Sequence, residues 1–537
     1  MIIGLGAFLR FFLLAIKPPH FDEGINGWFV DQMVKNGFYK YDPTNYHGPL
    51  HFYVEFLFQT LLGRNVWALR LPVVLVSTLC VWLTLKFEPF VGRTAVRVAA
   101  IAMAISPGFV FYGRYSIHEV WLVLFSMLFI LGLLGLWKFG TSNYLWCAVM
   151  GLAGMILTKE TYIIHIGCAV IAAGVCYVSN SLSRVPDAQP ARQSWSYIDL
   201  AVTCGVAIAV IVFFYSGTFF HWHGVKDIFN AYAAWFQTGH EGHGHEKPWY
   251  YWLTLMARYE LPVMGGLLLC ALCLRFKSVS LRYLAIYGVG TLMAYSIVNY
   301  KTPWCIISIV WPFLLILGGA VLLAPLKLRS KQYAEIAGVL LVLSGLAIFS
   351  ASRWESGYVW PFAFIGGAIV LLVAMRNLLA TLVISGIALC ASLGSTIWVN
   401  YLHCTTDTEP YVYVQTYNDI YKLTKPVLAL AHRDPVFYQM KGNIIRTSAY
   451  PLPWILGDFP HVGYYEHDDL PEPVDADFLL VQEDKITKVE AKLRDSYYTD
   501  SLTIRSYQEP SKLYLNAQKF KDFFKGRVPD FVGKKSG

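Results

Sequence analysis

Residues 114–138 read RYSIHEVWLVLFSMLFILGLLGLWK. Between Glu119 and Lys138 the only polar side chain is Ser126. A helix rises about 1.5 Å per residue, so ~20 apolar residues cross a hydrocarbon layer of ~30 Å. The stretch therefore predicts a membrane-spanning helix with a charged head, Arg114 to Glu119, at one end. That pairing decides the class of the molecule: a helical protein in a bilayer that keeps ionisable groups at the ends of its spans.

Outward from this stretch, apolar runs of similar length recur as far as residue 401. Thirteen spans are expected, at 2–17, 67–87, 95–112, 119–138, 143–158, 162–178, 198–220, 259–276, 281–299, 304–324, 334–352, 358–376 and 379–401. The first ends in Ala15-Ile16-Lys17-Pro18-Pro19 without a small-residue cleavage site, so it reads as a retained span. Residues 48–63 are too short and too polar for another span, with His51 and Glu55 inside, and read as an amphipathic helix in the outer interface. The first outer loop is 18–66 and a second is 221–258. After residue 401 hydropathy falls, and Val427–Ala431, Phe478–Val481, Leu502–Ser506 and Lys512–Leu515 have strand character, with a helix over 485–496. The expected architecture is mainly α: a polytopic helical bundle over 1–401, then a small α/β extramembrane domain over 402–537.

Composition agrees. Of 537 residues, 56% are hydrophobic and 15% charged, where a soluble domain carries about 25% charge. This excludes disordered and collagen-like chains and leaves no nucleic-acid partner. The 17 Trp, 34 Tyr and 34 Phe suit aromatic belts at two membrane faces. Of ten cysteines only Cys404 lies outside the apolar part, so no disulfide scaffold is expected. Net charge is +8, read as orientation and contact with anionic lipids. With the N-terminus inside, one set of loops is rich in Lys and Arg (Lys86, Arg93, Arg97, Lys138, Arg275, Lys277) and the other in acids (Asp22, Glu23, Asp31, Glu241, Glu246). The positive-inside rule then puts the acidic loops and 402–537 on the extracytoplasmic side of the plasma (inner) membrane.

Ionisable residues near the bilayer are costly and usually have a partner or a task. Four clusters fall at the outer ends of spans: His20-Phe21-Asp22-Glu23, Arg114 to Glu119, Lys159-Glu160 and Tyr300-Lys301-Thr302-Pro303-Trp304. Pro18-Pro19 stop the first helix, and the acidic pair opens a second one running to Gly37. Acids favour a first helical turn through the dipole alone. They also suit a general base, and adjacent residues point ~100° apart, so one of the two faces a given acceptor. Arg114 and Glu119 could close their turn as an ion pair or hold a phosphate. Lys159 and Lys301 stand on the acidic side, against the positive-inside bias; with Arg114 they suggest a site where cations offset a leaving phosphate. His240, His243 and His245 lie in a Gly-rich loop, but the spacing is not that of a metal helix and no Cys joins. A loop that closes over a ligand is favoured over a metal centre.

These pieces, in this order, resemble the GT-C superfamily of polyprenyl-phosphate-sugar-dependent glycosyltransferases. The protein O-mannosyltransferase and lipid A aminoarabinose transferase types are similar, as is a subfamily associated with flippase activity. The resemblance rests on His20-Phe21-Asp22-Glu23, His47-Gly48-Pro49-Leu50, Ala68-Leu69-Arg70-Leu71-Pro72, Ser106-Pro107 before Arg114-Tyr115, and Leu157-Thr158-Lys159-Glu160. Lys247-Pro248-Trp249-Tyr250-Tyr251 with Tyr259-Glu260, Tyr300 to Trp304, Pro451-Leu452-Pro453-Trp454 and Val462-Gly463-Tyr464-Tyr465 complete it. It implies Asp22 as base with Glu23 in support, donor phosphate on Arg114, Lys159 and Lys301, and Glu119 orienting Arg114. His20, Glu160, His245, Tyr300 and Trp304 are expected to support the site. It implies no required cofactor, a hexosyl or pentosyl donor on polyprenyl phosphate, and a lipid, glycan or protein acceptor. The chain departs from the aminoarabinose transferases in having Glu160 where they have Gly, and in its His-rich loop. A flippase or transporter of lipid-linked sugars, or a non-catalytic sensor of them, would use the same clusters without chemistry. A channel would need charges through the spans, which the sequence lacks.

Overall fold

The computed structural model describes residues 1–45, 47–183, 193–241, 244–271, 278–323, 378–466 and 470–533. It divides into two compact units. One gathers Met1–Leu14, Asn36–Val54 and Arg70–His403; the other gathers Ala15–Lys35, Glu55–Leu69 and Cys404–Gly537. Parts of the first outer loop thus belong with the C-terminal residues instead of with the bundle.

The first unit is helical. Among the described residues, four helices are long and apolar enough to cross a bilayer: Val66–Val91, Glu119–Phe139, Tyr162–Ser179 and Tyr197–Tyr215. Shorter apolar helices include Ile2–Phe11 (α1) and Ser142–Ile156. The expected count of thirteen spans is not confirmed, since the expected spans 334–352 and 358–376 lie outside the described residues. Others are interrupted for local reasons. The expected span 95–112 breaks into Arg93–Ile105 and Pro107–Tyr112, because a residue before proline avoids the α region and Ser106 sits at ψ 126. α1 stops at Phe11, short of residue 17, and the carbonyls of Phe12 and Leu13 beyond it accept from the Arg114 guanidinium.

The helix Glu119–Phe139 forms a hairpin with Ser142–Ile156. Gly140 closes the first helix in the left-handed region, donating to the carbonyls of Gly135 and Leu136 at 3.2 and 3.1 Å. The two helices then approach backbone to backbone. A Cβ on Gly132 would lie 2.3 Å from Ala148 N, and one on Gly151 would lie 2.5 Å from Phe129 N. Small residues at such contacts let membrane helices associate without a hydrophobic driving force.

The second unit carries helix α2, Phe21–Asn36, and a mixed sheet ordered β2-β1-β3-β5-β4-β6. The strands are β1 Gly442–Ile445, β2 Val462–Tyr465, β3 Phe478–Gln482, β4 Ser496–Leu502, β5 Ser511–Asn516 and β6 Phe531–Val532. β1 pairs parallel to β2 and β3, with Gly442 opposite Phe478 and Ile445 opposite Val481; the remaining pairs are antiparallel. Both faces of β3 are buried, as its unbroken Phe-Leu-Leu-Val run requires. Ile444, Leu480 and Leu513 join one core; Leu479, Val481, Tyr497 and Tyr514 join the other.

Three local expectations are corrected. Val427–Ala431 lies in the helix Tyr421–Arg433, not a strand; its buried residues Leu423, Val427, Leu430 and Ala431 follow i, i+4, i+7, i+8 spacing. The helix expected over 485–496 shrinks to Ile486–Glu490, and the Asp475 carboxylate takes the N–H groups of Arg494 and Asp495, both at 3.0 Å, for a turn into β4. β4 accordingly ends at Leu502, where the expected strand would begin. The helix expected over 48–63 does form, at Leu50–Leu62 (α3); His51 and Glu55 on it are fully buried, while Leu57, Leu61 and Leu62 are exposed.

Candidate active site

In the first unit the sequence motifs meet in pairs. Lys159 follows the helix Ser142–Ile156, and Glu119 opens the preceding span, Glu119–Phe139; the Lys159 ammonium bonds the Glu119 carboxylate. Cys305, one residue beyond the Tyr300–Trp304 motif, joins them, its Sγ 3.9 Å from both the Lys159 Nζ and Glu119 Oε1. Glu119 is therefore the partner of Lys159 and not of Arg114. Arg114 turns the other way: its Nη2 donates to the carbonyls of Phe12 (2.9 Å) and Leu13 (2.5 Å), its Nη1 to Asn400 (3.2 Å), and its guanidinium lies 4.8 Å from the Tyr401 ring centroid. Orphan carbonyls past a helix end are a ready sink for a buried guanidinium, and this explains why the ion pair closing the turn does not form.

Glu160 pairs with His47, Oε2 to Nδ1 at 3.0 Å. The loop that carries His47 is pinned to the same turn, with Gly48 N–H donating to Thr158 O and Leu50 N–H to Leu157 O, both at 3.1 Å. The His47 ring lies tilted against His118, and His118 against His51, with ring centroids 4.6 and 4.5 Å apart. Glu260 accepts from the Ser106 hydroxyl at 2.8 Å and from Gly108 N–H at 2.7 Å, so the Tyr259-Glu260 and Ser106-Pro107 pieces also join.

Lys301 is held in a backbone clasp. Glu246 and Tyr300 form an isolated antiparallel bridge, Lys247 N–H donates to Asn299 O at 3.2 Å, and Lys301 N–H donates to His245 O at 3.0 Å. The end of the His-rich loop is thereby tied to the Lys301 motif, and the His245 ring lies edge-on to Tyr300 at 4.9 Å. The Lys301 ammonium donates to the carbonyls of Lys247 and Val298. Burial lowers its pKa to about 8, so the charge is held at neutral pH by little more than neutral acceptors. Trp304 is half-buried in the short turn that follows. Of the other histidines of the loop, His243 lies outside the described residues and the side chain of His240 is likewise not described; among the described residues no group of three metal-ligating side chains forms.

The acidic pair belongs to the second unit. His20 is the N-cap of α2, and its Nδ1 accepts the Asp22 N–H at 3.1 Å. Glu23 reaches back to accept the His20 N–H at 2.8 Å, which completes a reciprocal cap. The His20 Nε2 lies 2.8 Å from Tyr413 O, so the ring is neutral with its proton on Nε2. Burial pushes the His20 pKa down, in the same sense. Glu23 is fully buried in this cap, whereas the Asp22 side chain is 30% exposed. Asp22 accepts no hydrogen bond on its carboxylate among the described residues; the neutral His20 ring stands with Nδ1 3.7 Å from it, and Arg505 acts on it through its charge. The two acids thus differ: one ties the helix start, the other is left available. Arg505 lies over the Phe21 ring at 3.8 Å and donates to the Ser448 hydroxyl at 2.9 Å. Burial lowers its pKa to about 10.

α2 is fixed to the sheet domain by close packing and one arginine. A Cβ on Gly24 would fall 2.5 Å from Pro451 Cα, and one on Gly27 would fall 2.2 Å from the Trp454 ring. Arg64 grips Asp31 with two bonds, at 2.6 and 3.0 Å, and reaches Asp458 Oδ1 at 3.0 Å and Trp454 O at 2.9 Å. Trp454 in turn donates to Gln59 at 3.0 Å.

Residues 46–214 match the family model described as dolichyl-phosphate-mannose-protein mannosyltransferase. The fold matches that of ArnT from Cupriavidus metallidurans solved with undecaprenyl phosphate bound, with a TM-score of 0.57 at 14% identity, over 96% of this chain and 98% of that one. The apo structure of the same ArnT matches with a TM-score of 0.53, again at 14% identity and over 94% of both chains. The chain has the GT-C fold. No protein of curated function matches the sequence. In this GT-C fold the residues that the sequence alone does not reveal are those whose role is set by tertiary contact: Arg64, Arg505, the His47-His51-His118 cluster and Cys305. His47 was already quoted in a motif, and Cys305 is adjacent to one. Arg64 stands in Gly63-Arg64-Asn65, which reads as a turn and gives no other signal.

Proposed function

We propose that the protein is an integral-membrane glycosyltransferase that moves a sugar from a polyprenyl-phosphate donor to an acceptor on the extracytoplasmic face. The observation that carries this reading is the collection of Glu119, Lys159 and Cys305 at span ends, with Lys301 held beside the same motif, in a fold shared with a protein crystallised on undecaprenyl phosphate. Lys159 and Lys301 are the cations proposed for the donor phosphate. Lys159 exchanges Glu119 for the phosphate, and Lys301 exchanges neutral carbonyls for it, which is the more favourable trade. Arg114 would reach a phosphate only by giving up its main-chain carbonyls, so its proposed part is to fix the end of α1 near the donor site. Glu160 supports Lys159 through the turn it shares with His47. Tyr300, Trp304 and His245 shape the loop around Lys301.

In the proposed step the acceptor hydroxyl or amine gives its proton to the Asp22 carboxylate. The freed oxygen or nitrogen bonds to the anomeric carbon as the bond from that carbon to the phosphate oxygen breaks. Attack from the opposite side inverts the anomeric centre. Polyprenyl phosphate leaves with its charge offset by the lysines. Glu23 and His20 hold the first turn of α2 so that Asp22 is oriented.

The test is release of polyprenyl phosphate. Purified protein in lipid vesicles is given polyprenyl-phosphate-linked sugars and lipid, glycan and peptide acceptors, and the products are read by mass spectrometry. Free polyprenyl phosphate with a matching glycosylated acceptor is expected. Movement of intact donor between leaflets without cleavage would instead identify a flippase, and binding with neither would identify a sensor.

A further inference from the structure

The second unit contains a cleft of about 770 Å³ that lies apart from Asp22 on the other stretch of α2. Its size is that of a small-molecule site. Trp28, Tyr450, Phe459 and Tyr464 supply aromatic surface, and among the described residues Asp31, Asp458 and Glu466 supply carboxylates against two cations, Lys35 and Arg64. Arg64 is not open to an anion, because Asp31, Asp458 and the Trp454 carbonyl take its donors. The lining is therefore net acidic and aromatic, which disfavours a phosphate or a lipid head group of negative charge.

A further group points to a ligand. The Tyr464 hydroxyl is buried and has no hydrogen-bond partner among the described residues, although Tyr464 lines the cleft. A buried hydroxyl without a partner is unfavourable unless something completes it. Pyranose rings present apolar C–H faces that stack on aromatic rings, and hydroxyls around the rim that donate to carboxylates and accept from a phenol. We propose that this cleft binds a carbohydrate, the glycan portion of the acceptor, with Trp28 and Tyr450 as stacking surfaces, Glu466 as hydroxyl acceptor and Tyr464 as donor. The acceptor assignment rests on the transferase reading; the carbohydrate chemistry of the cleft does not.

The experiment is saturation-transfer NMR on the full chain in lipid nanodiscs, with mannotriose and N,N′-diacetylchitobiose as probes and the peptide Ala-Thr-Ala as a comparison. Saturation transfer to at least one saccharide is expected. Trp28→Ala and Glu466→Gln should each weaken it by about tenfold, the loss expected for one stacking surface or one charged hydrogen bond. Tyr464→Phe removes only a buried, unsatisfied hydroxyl, so its melting temperature should hold or rise while saccharide affinity falls. No transfer to either saccharide, transfer that all three variants leave unchanged, or transfer to the peptide alone would overturn the proposal. Release of polyprenyl phosphate is measured on the same samples. Saccharide binding without any donor cleavage would sink the transferase reading and leave a carbohydrate site; donor cleavage without saccharide binding would sink only the cleft.

Discussion

Replacing Arg64 by Met tests how α2 is held. The side chain joins Asp31, Asp458 and the Trp454 carbonyl, and its exposure is 18%, against 15% for Asp31 and 50% for Asp458. Removing one partner of a fully buried ion pair costs ~3–5 kcal/mol, because the other charge is left stranded. The Asp458 contact is half in solvent and contributes little, so about 2–3 kcal/mol is the reasonable figure, nearly all of it from Asp31. Burial already raises the Asp31 pKa against the pull of Arg64; without the arginine it rises further and the carboxyl tends to protonate. For a unit of this size such a loss lowers the melting temperature by about 5–10 °C. The assay is scanning fluorescence of the purified full chain, paired with limited proteolysis of residues 404–537. A double-mutant cycle with Asp31→Leu decides the mechanism: the double variant should recover most of the loss, since no unpaired charge remains. Additive losses, with no coupling between the two positions, would refute the argument.

Three shorter predictions concern the same helix and the lysines. Gly27→Ala puts a methyl group into the Trp454 ring, so α2 must shift; transfer activity should fall while expression in the membrane is retained, and Gly27→Ser should behave alike. Lys301 has a pKa of about 8 because of burial, so its charge is present below that pH and lost above it. Donor affinity, measured by tryptophan quenching, should decline between pH 7 and 9 in the wild type, and the decline should move to higher pH in Lys301→Arg. The His20 pKa is lowered by burial. Its neutral form therefore contributes stability that is complete above the ordinary histidine value and lost as pH falls through the lowered one. Thermal unfolding should show that loss as pH falls below about 6.5, and His20→Asn should flatten it.

Much of this molecule could be read from its sequence, for physical reasons that differ from place to place. Residues 119–138 declare a span because the bilayer demands length and apolarity together, and nothing tertiary can supply them. The start of α2 was legible because Pro18-Pro19 and two acids obey rules that act within one turn. The interrupted spans were less so: Ser106-Pro107 was quoted as a motif, yet the break it makes is absent from hydropathy. Val427–Ala431 misled because β-branched and apolar residues in a short window suit a strand, while the helical spacing extends back to Leu423. The partner of Glu119 was illegible for a different reason. Arg114 is five residues away and Lys159 forty, and proximity in sequence favours the wrong one until the carbonyls after α1 are known to occupy the arginine. Arg64 shows the same limit, since its partners Asp31 and Asp458 lie 33 and 394 residues distant.

The role of the Asp22 carboxylate is open to a single comparison. Wild-type protein and Asp22→Asn, both reconstituted in lipid vesicles, are supplied with radiolabelled polyprenyl-phosphate sugar and acceptor, and initial rates of transfer are recorded beside donor affinity. The amide keeps the shape and the cap of α2 but cannot take a proton. The rate should fall by about 10²–10⁴, the usual contribution of a general base, with donor affinity unchanged. Transfer by Asp22→Asn at the wild-type rate would contradict the account.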